Sequence, residues 1–184
     1  RPVVSCKGTT CQYGLYDTFA LSEKIHERFY LGYHTVKLPH KFKIACGGCP
    51  NNCVKPDIND LGIIGQLVPN VDTDSCNGCK KCQVAVTCPM KAVSVEDGEI
   101  EINEEVCNNC GRCVGTCPFD VIEEGTPGFK ITIGGRWGKK VNRGQALNKI
   151  FTTEEELLDT VEKAILFFRE QGKTGERFAD TIER

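Results

Sequence analysis

Thirteen cysteines stand in a chain of 184 residues. Thiols at that density pair as disulfides, hold zinc or hold iron–sulfur clusters. An odd count argues against a disulfide framework, as do the ordinary 26% charged content and the lack of an apolar leader ending at a small-residue cleavage site. A reduced, cytoplasmic setting is expected. Eight of the thirteen fall into a repeat. Cys76-x2-Cys79-x2-Cys82 and Cys107-x2-Cys110-x2-Cys113 align at an offset of 31, and Cys88-Pro89 and Cys117-Pro118 close the two copies. Three thiols at successive CxxC intervals let one loop wrap three corners of a cubane, with the fourth ligand arriving from elsewhere. Structural zinc is served instead by paired CxxC or Cys/His knuckles.

The two runs are similar to those of bacterial two-cluster ferredoxins, in which the fourth cysteine of each run ligates the other cluster. Carried over residue by residue, the resemblance implies Cys76, Cys79, Cys82 and Cys117 for one [4Fe-4S] cluster and Cys107, Cys110, Cys113 and Cys88 for the second. The first copy departs from the pattern by two extra residues before Cys88. They are expected to bulge the loop beside the second cluster without displacing its ligand.

Elements must hold these loops. Between the runs, Val93 and Val95 alternate with polar residues, Asp97-Gly98 supplies a turn, and Ile100 and Ile102 alternate beyond it, which predicts a hairpin. Outside residues 72 to 124, Pro2 to Cys6, Phe42 to Ala45 and Asp60 to Val71 read as strands. So does the alternation of Phe129, Ile131 and Ile133, ending at Gly134-Gly135. A helix is expected over 15 to 33, from Leu21, Ile25, Phe29 and Tyr33. A second follows the Thr153-x2-Glu156 capping box, with Leu157, Leu158, Val161, Ala164, Ile165 and Phe168 as its apolar stripe and Gly172 as its end. The two flanks look incomplete alone. The expected organisation is one α+β (α/β-layered) domain, residues 1–71 and 125–184, interrupted by a two-cluster module at 72–124.

Other classes are disfavoured. No apolar run approaches the roughly 20 residues of a membrane span. A formal net charge of −2 provides no basic field for nucleic acid. His26, His34 and His40 lie in polar or loop settings and are not expected to bind metal. The chain opens on Arg1-Pro2, without methionine, as if cut from something longer.

Five cysteines remain: Cys6, Cys11, Cys46, Cys49 and Cys53. They sit in two loops that follow strands, and any four of them would serve a third cubane. The radical-SAM order CxxxCxxC is reversed here. The stretches "SCKGTTCQYGLYDT", "EKIHERFY" and "LPHKFKIACGGCPNNCVKPDINDLGIIGQ" resemble the sirohaem-containing sulfite and nitrite reductases, in particular the anaerobic, dissimilatory-type sulfite reductases. In several of these a two-cluster ferredoxin interrupts the 4Fe-4S domain.

This resemblance implies a third cluster on Cys6, Cys11, Cys49 and Cys53, with Cys53 as the axial thiolate shared with the sirohaem iron. It implies electron relay through the ferredoxin clusters to the sirohaem-coupled centre, and six-electron reduction of sulfite to sulfide. Nitrite is the alternative substrate, and an electron carrier without its own catalytic site the alternative function. A redox donor and a preceding sirohaem-binding domain are the implied partners. Two departures stand out: Cys6-x4-Cys11 is one residue shorter than the family spacing, and Cys46 is surplus, expected as a buried apolar thiol. Thr9, Thr10, Asn51, Asn52 and Arg136 are candidate cofactor contacts. Lys7, Lys55, Lys139, Lys140 and Arg143 are further candidate cations for carboxylates or a sulfite dianion.

Overall fold

A computed structural model describes residues 1–184. In chain order the elements are β1 (Val4–Ser5), α1 (Thr18–Ile25), β2 (Ile44–Gly47), β3 (Leu61–Pro69), α2 (Gln83–Thr87), β4 (Val93–Glu96), β5 (Glu99–Ile102), β6 (Gly125–Ile133), β7 (Gln145–Phe151), α3 (Glu154–Gln171) and α4 (Phe178–Glu183). They form two compact units, one of Arg1–Gly65 with Gly128–Arg184 and one of Gln66–Pro127.

The first unit is built on a sheet of order β1-β2-β3-β6-β7. β1 pairs with β2, and β2 with β3, in parallel, while β6 and β7 are antiparallel with a register shift between Lys130 and Thr132. β2 is buried along its whole length and lies between two strands, so it reads as a continuous apolar run, not an alternating one. Leu21 and Ile25 of α1, Leu157, Val161 and Phe168 of α3, and Phe178 of α4 share one core with Phe42, Ile44, Ile63 and Ile131. Phe42, Phe168 and Phe178 pack ring to ring with centroids 5.0 to 5.9 Å apart. Full burial of each ring is worth about 1.5–3 kcal/mol.

Helix ends follow local chemistry. Asp17 caps α1, its carboxylate accepting from the amides of Phe19 and Ala20 at 3.1 and 3.0 Å. The helix expected from Leu15 to Tyr33 is α-helical only to Ile25; His26–Leu31 follow as a π-turn, in which Gly32 donates to the Glu27 carbonyl. Within that widened turn Phe29 packs against the core but is only partly buried, and Tyr33 beyond it is half-buried. α3 begins at Thr153, whose hydroxyl accepts from the Glu156 amide at 3.3 Å. The Glu156 side chain does not complete the box; it accepts from Lys149 Nζ at 3.0 Å.

The second unit has its own small core of Val84, Ile100, Val121 and Ile122, flanked by Cys76, Cys82, Cys113 and Cys117. β4 and β5 form the expected hairpin. Asp97 and Gly98 take positive φ, the requirement of a two-residue turn matched to strand twist. The two residues added before Cys88 are absorbed into α2, which buries Val84 and exposes Val86. No helix is long and apolar enough to cross a membrane.

Candidate metal centres

In the first unit the two cysteine loops leave the same end of neighbouring parallel strands. Cys6 follows β1 and Cys11 follows a short turn at Gly8–Thr10, while Cys49 and Cys53 lie on the loop after β2. Parallel pairing puts those strand ends side by side, so cysteine loops far apart in sequence converge. Burial raises the pKa of the Cys49 thiol, and charge on Cys53, Cys11 and Cys6 raises it further, against the Asn51 amide, which lowers it. Cys49 therefore senses all three of its partners. A thiol kept protonated chiefly by burial, with three other thiols adding to the effect, is one that a positively charged centre would satisfy.

The loops also touch through backbone. Cys6 donates to the Cys46 carbonyl at 3.0 Å, and Gly48 donates to Cys6 Sγ at 3.1 Å. A Cβ on Gly48 would lie 2.9 Å from the Gly8 Cα and 3.5 Å from Cys6 Sγ, so this approach needs glycine on both loops. The Cys49–Cys53 loop is shaped by Asn52 in the left-handed region, its Nδ2 donating to Asp57 Oδ1 at 2.7 Å. Arg143, with its side chain 79% exposed, holds the other Asp57 oxygen at 2.5 Å. Cys53 is the exposed thiol of the four.

Cys46 stands apart from this set. It is fully buried inside β2, and burial pushes its thiol up to about 12, opposed by the nearby Tyr16 hydroxyl. A buried neutral thiol is the role expected for it.

The other candidates are placed as follows. Thr9 gives its hydroxyl to Asp17 Oδ1 at 2.7 Å and accepts from Phe19, joining the first cysteine loop to the start of α1. Thr10 is exposed and bonds the Lys7 carbonyl. Asn51 is exposed. The Oδ1 of Asn52 is buried without a partner. Arg136 is paired with Asp180 of α4 through NH1 at 2.8 and 2.9 Å, leaving its buried Nε unpartnered. Asp180 was not anticipated, since α4 is too short to leave a periodic signal. Lys7, Lys55, Lys139 and Lys140 are exposed.

In the second unit the eight repeat cysteines divide between two cavities. Cys76, Cys79, Cys82 and Cys117 line one, with Val84, Ile100 and Phe119; Cys88, Cys107, Cys110 and Cys113 line the other, with Met90, Val93 and Ile102. Each cavity takes three thiols from one copy and the fourth from the other. Burial pushes the Cys113 thiol up to about 11, and charge on Cys107, Cys110 and Cys88 acts in the same direction.

The sequence matches the family described as the nitrite and sulphite reductase 4Fe-4S domain over residues 1–184. The chain belongs to that family. A coenzyme F420-dependent sulfite reductase of Methanocaldococcus jannaschii is 32% identical over 178 residues, 96% of this chain and 27% of that protein. The alpha subunit of a dissimilatory-type sulfite reductase of Allochromatium vinosum is 28% identical over 204 residues, 100% of this chain and 49% of that protein. The chain thus spans less than half of the length of these two relatives. In the crystal structure of dissimilatory sulfite reductase I, a fold with TM-score 0.70 at 23% identity covers all of this chain and 49% of that one. The mixed α/β fold is that of sulfite and nitrite reductase 4Fe-4S domains, and the chain is homologous to sulfite reductases.

Proposed function

We propose that the chain is the cluster-bearing portion of a sirohaem sulfite reductase. Cys6, Cys11, Cys49 and Cys53 hold one [4Fe-4S] cluster. The second unit is a ferredoxin-like insertion whose clusters sit on Cys76, Cys79, Cys82 and Cys117 and on Cys107, Cys110, Cys113 and Cys88. The reading rests above all on the convergence of the two cysteine loops at the ends of β1 and β2, where the Gly48 amide meets the Cys6 sulfur. Its support in the second unit is the sorting of eight thiols into two sets of four.

The residues suit the groups they would hold. Backbone donors face the outer set: the Gly48 amide meets the Cys6 sulfur, and the Asn51 amide lowers the Cys49 pKa. Such donors stabilise the thiolate form that a cluster needs. The exposed Cys53 thiol would be the one of the four open to sirohaem. Buried Arg136 Nε, a donor without a partner, suits a carboxylate of the macrocycle, while Asp180 fixes the guanidinium plane. Thr9 and Thr10 hold the shape of the first loop, and Asn52 that of the second. Exposed Lys7, Lys55, Lys139 and Lys140 supply positive charge for an anionic substrate. Sirohaem, when bound, supplies the six-electron chemistry from sulfite to sulfide. A donor protein or subunit and a sirohaem-binding domain outside this chain complete the system.

Iron and acid-labile sulfide in anaerobically prepared protein test the reading. About twelve iron atoms per chain, four for each of three cubanes, are expected, with sirohaem absorption and sulfite turnover once the sirohaem-binding domain is present. About eight iron atoms with Cys6, Cys11, Cys49 and Cys53 open to alkylation would overturn it. Sulfite and nitrite assayed in parallel decide between the two anions the family description covers.

A further inference from the structure

Behind the outer cysteine loops lies a buried hydroxyl that no step above uses. Thr18 is the first residue of α1 and is 0% exposed. Its Oγ1 donates to the Cys6 carbonyl at 2.8 Å and accepts from the Thr9 amide at 3.2 Å, so one oxygen holds the first cysteine loop at two points. The Thr9 hydroxyl gives its own proton to Asp17 Oδ1 at 2.7 Å and accepts from the Phe19 amide at 3.0 Å. With both hydroxyl protons committed, the 3.4 Å approach of the two threonine oxygens carries no proton, and the Thr18 proton has one destination, the carbonyl of Cys6. The methyl of the same side chain packs where the two loops come together. A Cβ on Gly8 would lie 2.5 Å from Thr18 Cγ2 and a Cβ on Gly48 3.2 Å from it, so the methyl rests against both cysteine loops at their bare positions. At that spacing the Gly48 amide reaches Cys6 Sγ at 3.1 Å.

We propose that Thr18 is a positioning residue for the outer cluster: its hydroxyl orients Cys6, while its methyl fills the space between the loop that carries Cys6 and Cys11 and the loop that carries Cys49 and Cys53. The inference rests on the ligand set proposed above. Ligands bind a metal centre best when their own orientation is fixed by further hydrogen bonds and packing. Cys6 is fixed on both sides of its Cα. Its amide donates to the Cys46 carbonyl at 3.0 Å, and its carbonyl accepts from Thr18. Removing the Thr18 hydroxyl leaves that carbonyl and the Thr9 amide without their partner, and Cys6 is then held from the β2 side alone. Thr18 is not a ligand. It acts through the backbone of the two loops.

The test compares Thr18→Val, which keeps the methyl packing and removes the hydroxyl, with Thr18→Ser, which keeps the hydroxyl and removes the methyl. Iron release to a chelator and the electron paramagnetic resonance of the reduced clusters are read on the anaerobically prepared protein. Thr18→Val should release the outer cluster roughly tenfold faster than wild type, the scale on which partners of metal ligands act, and should alter the resonance of that cluster before release. Thr18→Ser should release it at a rate between the two, with the wild-type resonance retained. The clusters of the second unit serve as internal reference and should not change. A Thr18→Val protein with wild-type rate and resonance overturns the inference, as does a serine variant no better than valine. Faster release with an unchanged resonance also overturns it, because a fold that is merely weakened leaves the intact cluster as it was. Should Thr18→Val fail to fold, Thr18→Ala against Thr18→Ser decides: the alanine variant should show the altered resonance and the serine variant should not, and identical spectra overturn the inference. A wild-type protein that lacks the third cluster overturns the ligand assignment instead, so the two failures are told apart by iron content before any variant is made.

Discussion

Gly48→Ala is the substitution that bears most directly on whether the two outer loops act as one site. Its new methyl would stand 2.9 Å from the Gly8 Cα and 3.2 Å from Thr18 Cγ2. Carbon atoms rest comfortably at about 3.5–4.0 Å, so the first loop must retreat by roughly 0.6–1.1 Å. Overpacking of this kind costs about 1–3 kcal/mol. The retreat falls on the chain that carries Cys6 and strains the 3.1 Å bond from Gly48 to its sulfur. Denaturant unfolding under anaerobic conditions should therefore show a loss in that range. Iron should fall from about twelve toward about eight atoms, as one cubane of four is lost. Both clusters of the second unit should remain. If Gly48→Ala keeps its full iron content and its stability, the contact between the loops does not govern the site, and the argument from strand-end convergence fails.

Asp60 is fully buried, holds Arg177 at 3.0 and 3.2 Å, and accepts from the Lys43 amide at 2.9 Å. Asp60→Ala should cost about 3–5 kcal/mol by chemical denaturation, because it leaves a mostly buried guanidinium unpaired; Asp60→Asn, which keeps an acceptor, should cost less. Cross-supply of the fourth thiol is checked by iron counts in paired variants. Cys117→Ala added to Cys79→Ala should remove no further iron, since both serve one cavity, whereas Cys117→Ala added to Cys110→Ala should empty two; the reverse pattern refutes the assignment. Thr153→Ala should destabilise the first unit by about 1 kcal/mol through loss of its helix cap, measured by thermal unfolding.

Much of this arrangement was legible in the residues, and the remainder was hidden for identifiable reasons. α3 announces itself because Leu157, Val161, Ile165 and Phe168 all face one core and Thr153 caps the first turn. The hairpin of β4 and β5 was equally plain, since Asp97-Gly98 suits only a tight turn. β7 was missed: it is largely exposed, and Gln145, Asn148 and Lys149 break any apolar alternation. α4 is six residues long, too short for periodicity, and is held by side-chain contacts such as Arg136–Asp180 that no local pattern encodes. The π-turn after Ile25 was invisible because four-residue spacing of Leu21, Ile25, Phe29 and Tyr33 fits an uninterrupted α-helix equally well. At the candidate centres, spacing singled out the repeat cysteines, while the choice of Cys6, Cys11, Cys49 and Cys53 came from the family resemblance. The outer hydrogen bonds, Asn52 to Asp57 and Gly48 to the Cys6 sulfur, depend on chain crossings that only the fold reveals.

The exchange of one thiol between the two halves of the internal repeat has a consequence for how such a module can arise. A single half, with its three-cysteine loop and its trailing Cys-Pro, would never complete a cavity by folding on itself. It would do so only by lending that last cysteine to a twin and borrowing the twin's in return, so a half-length ancestor would have been obliged to associate in symmetric pairs before duplication joined them.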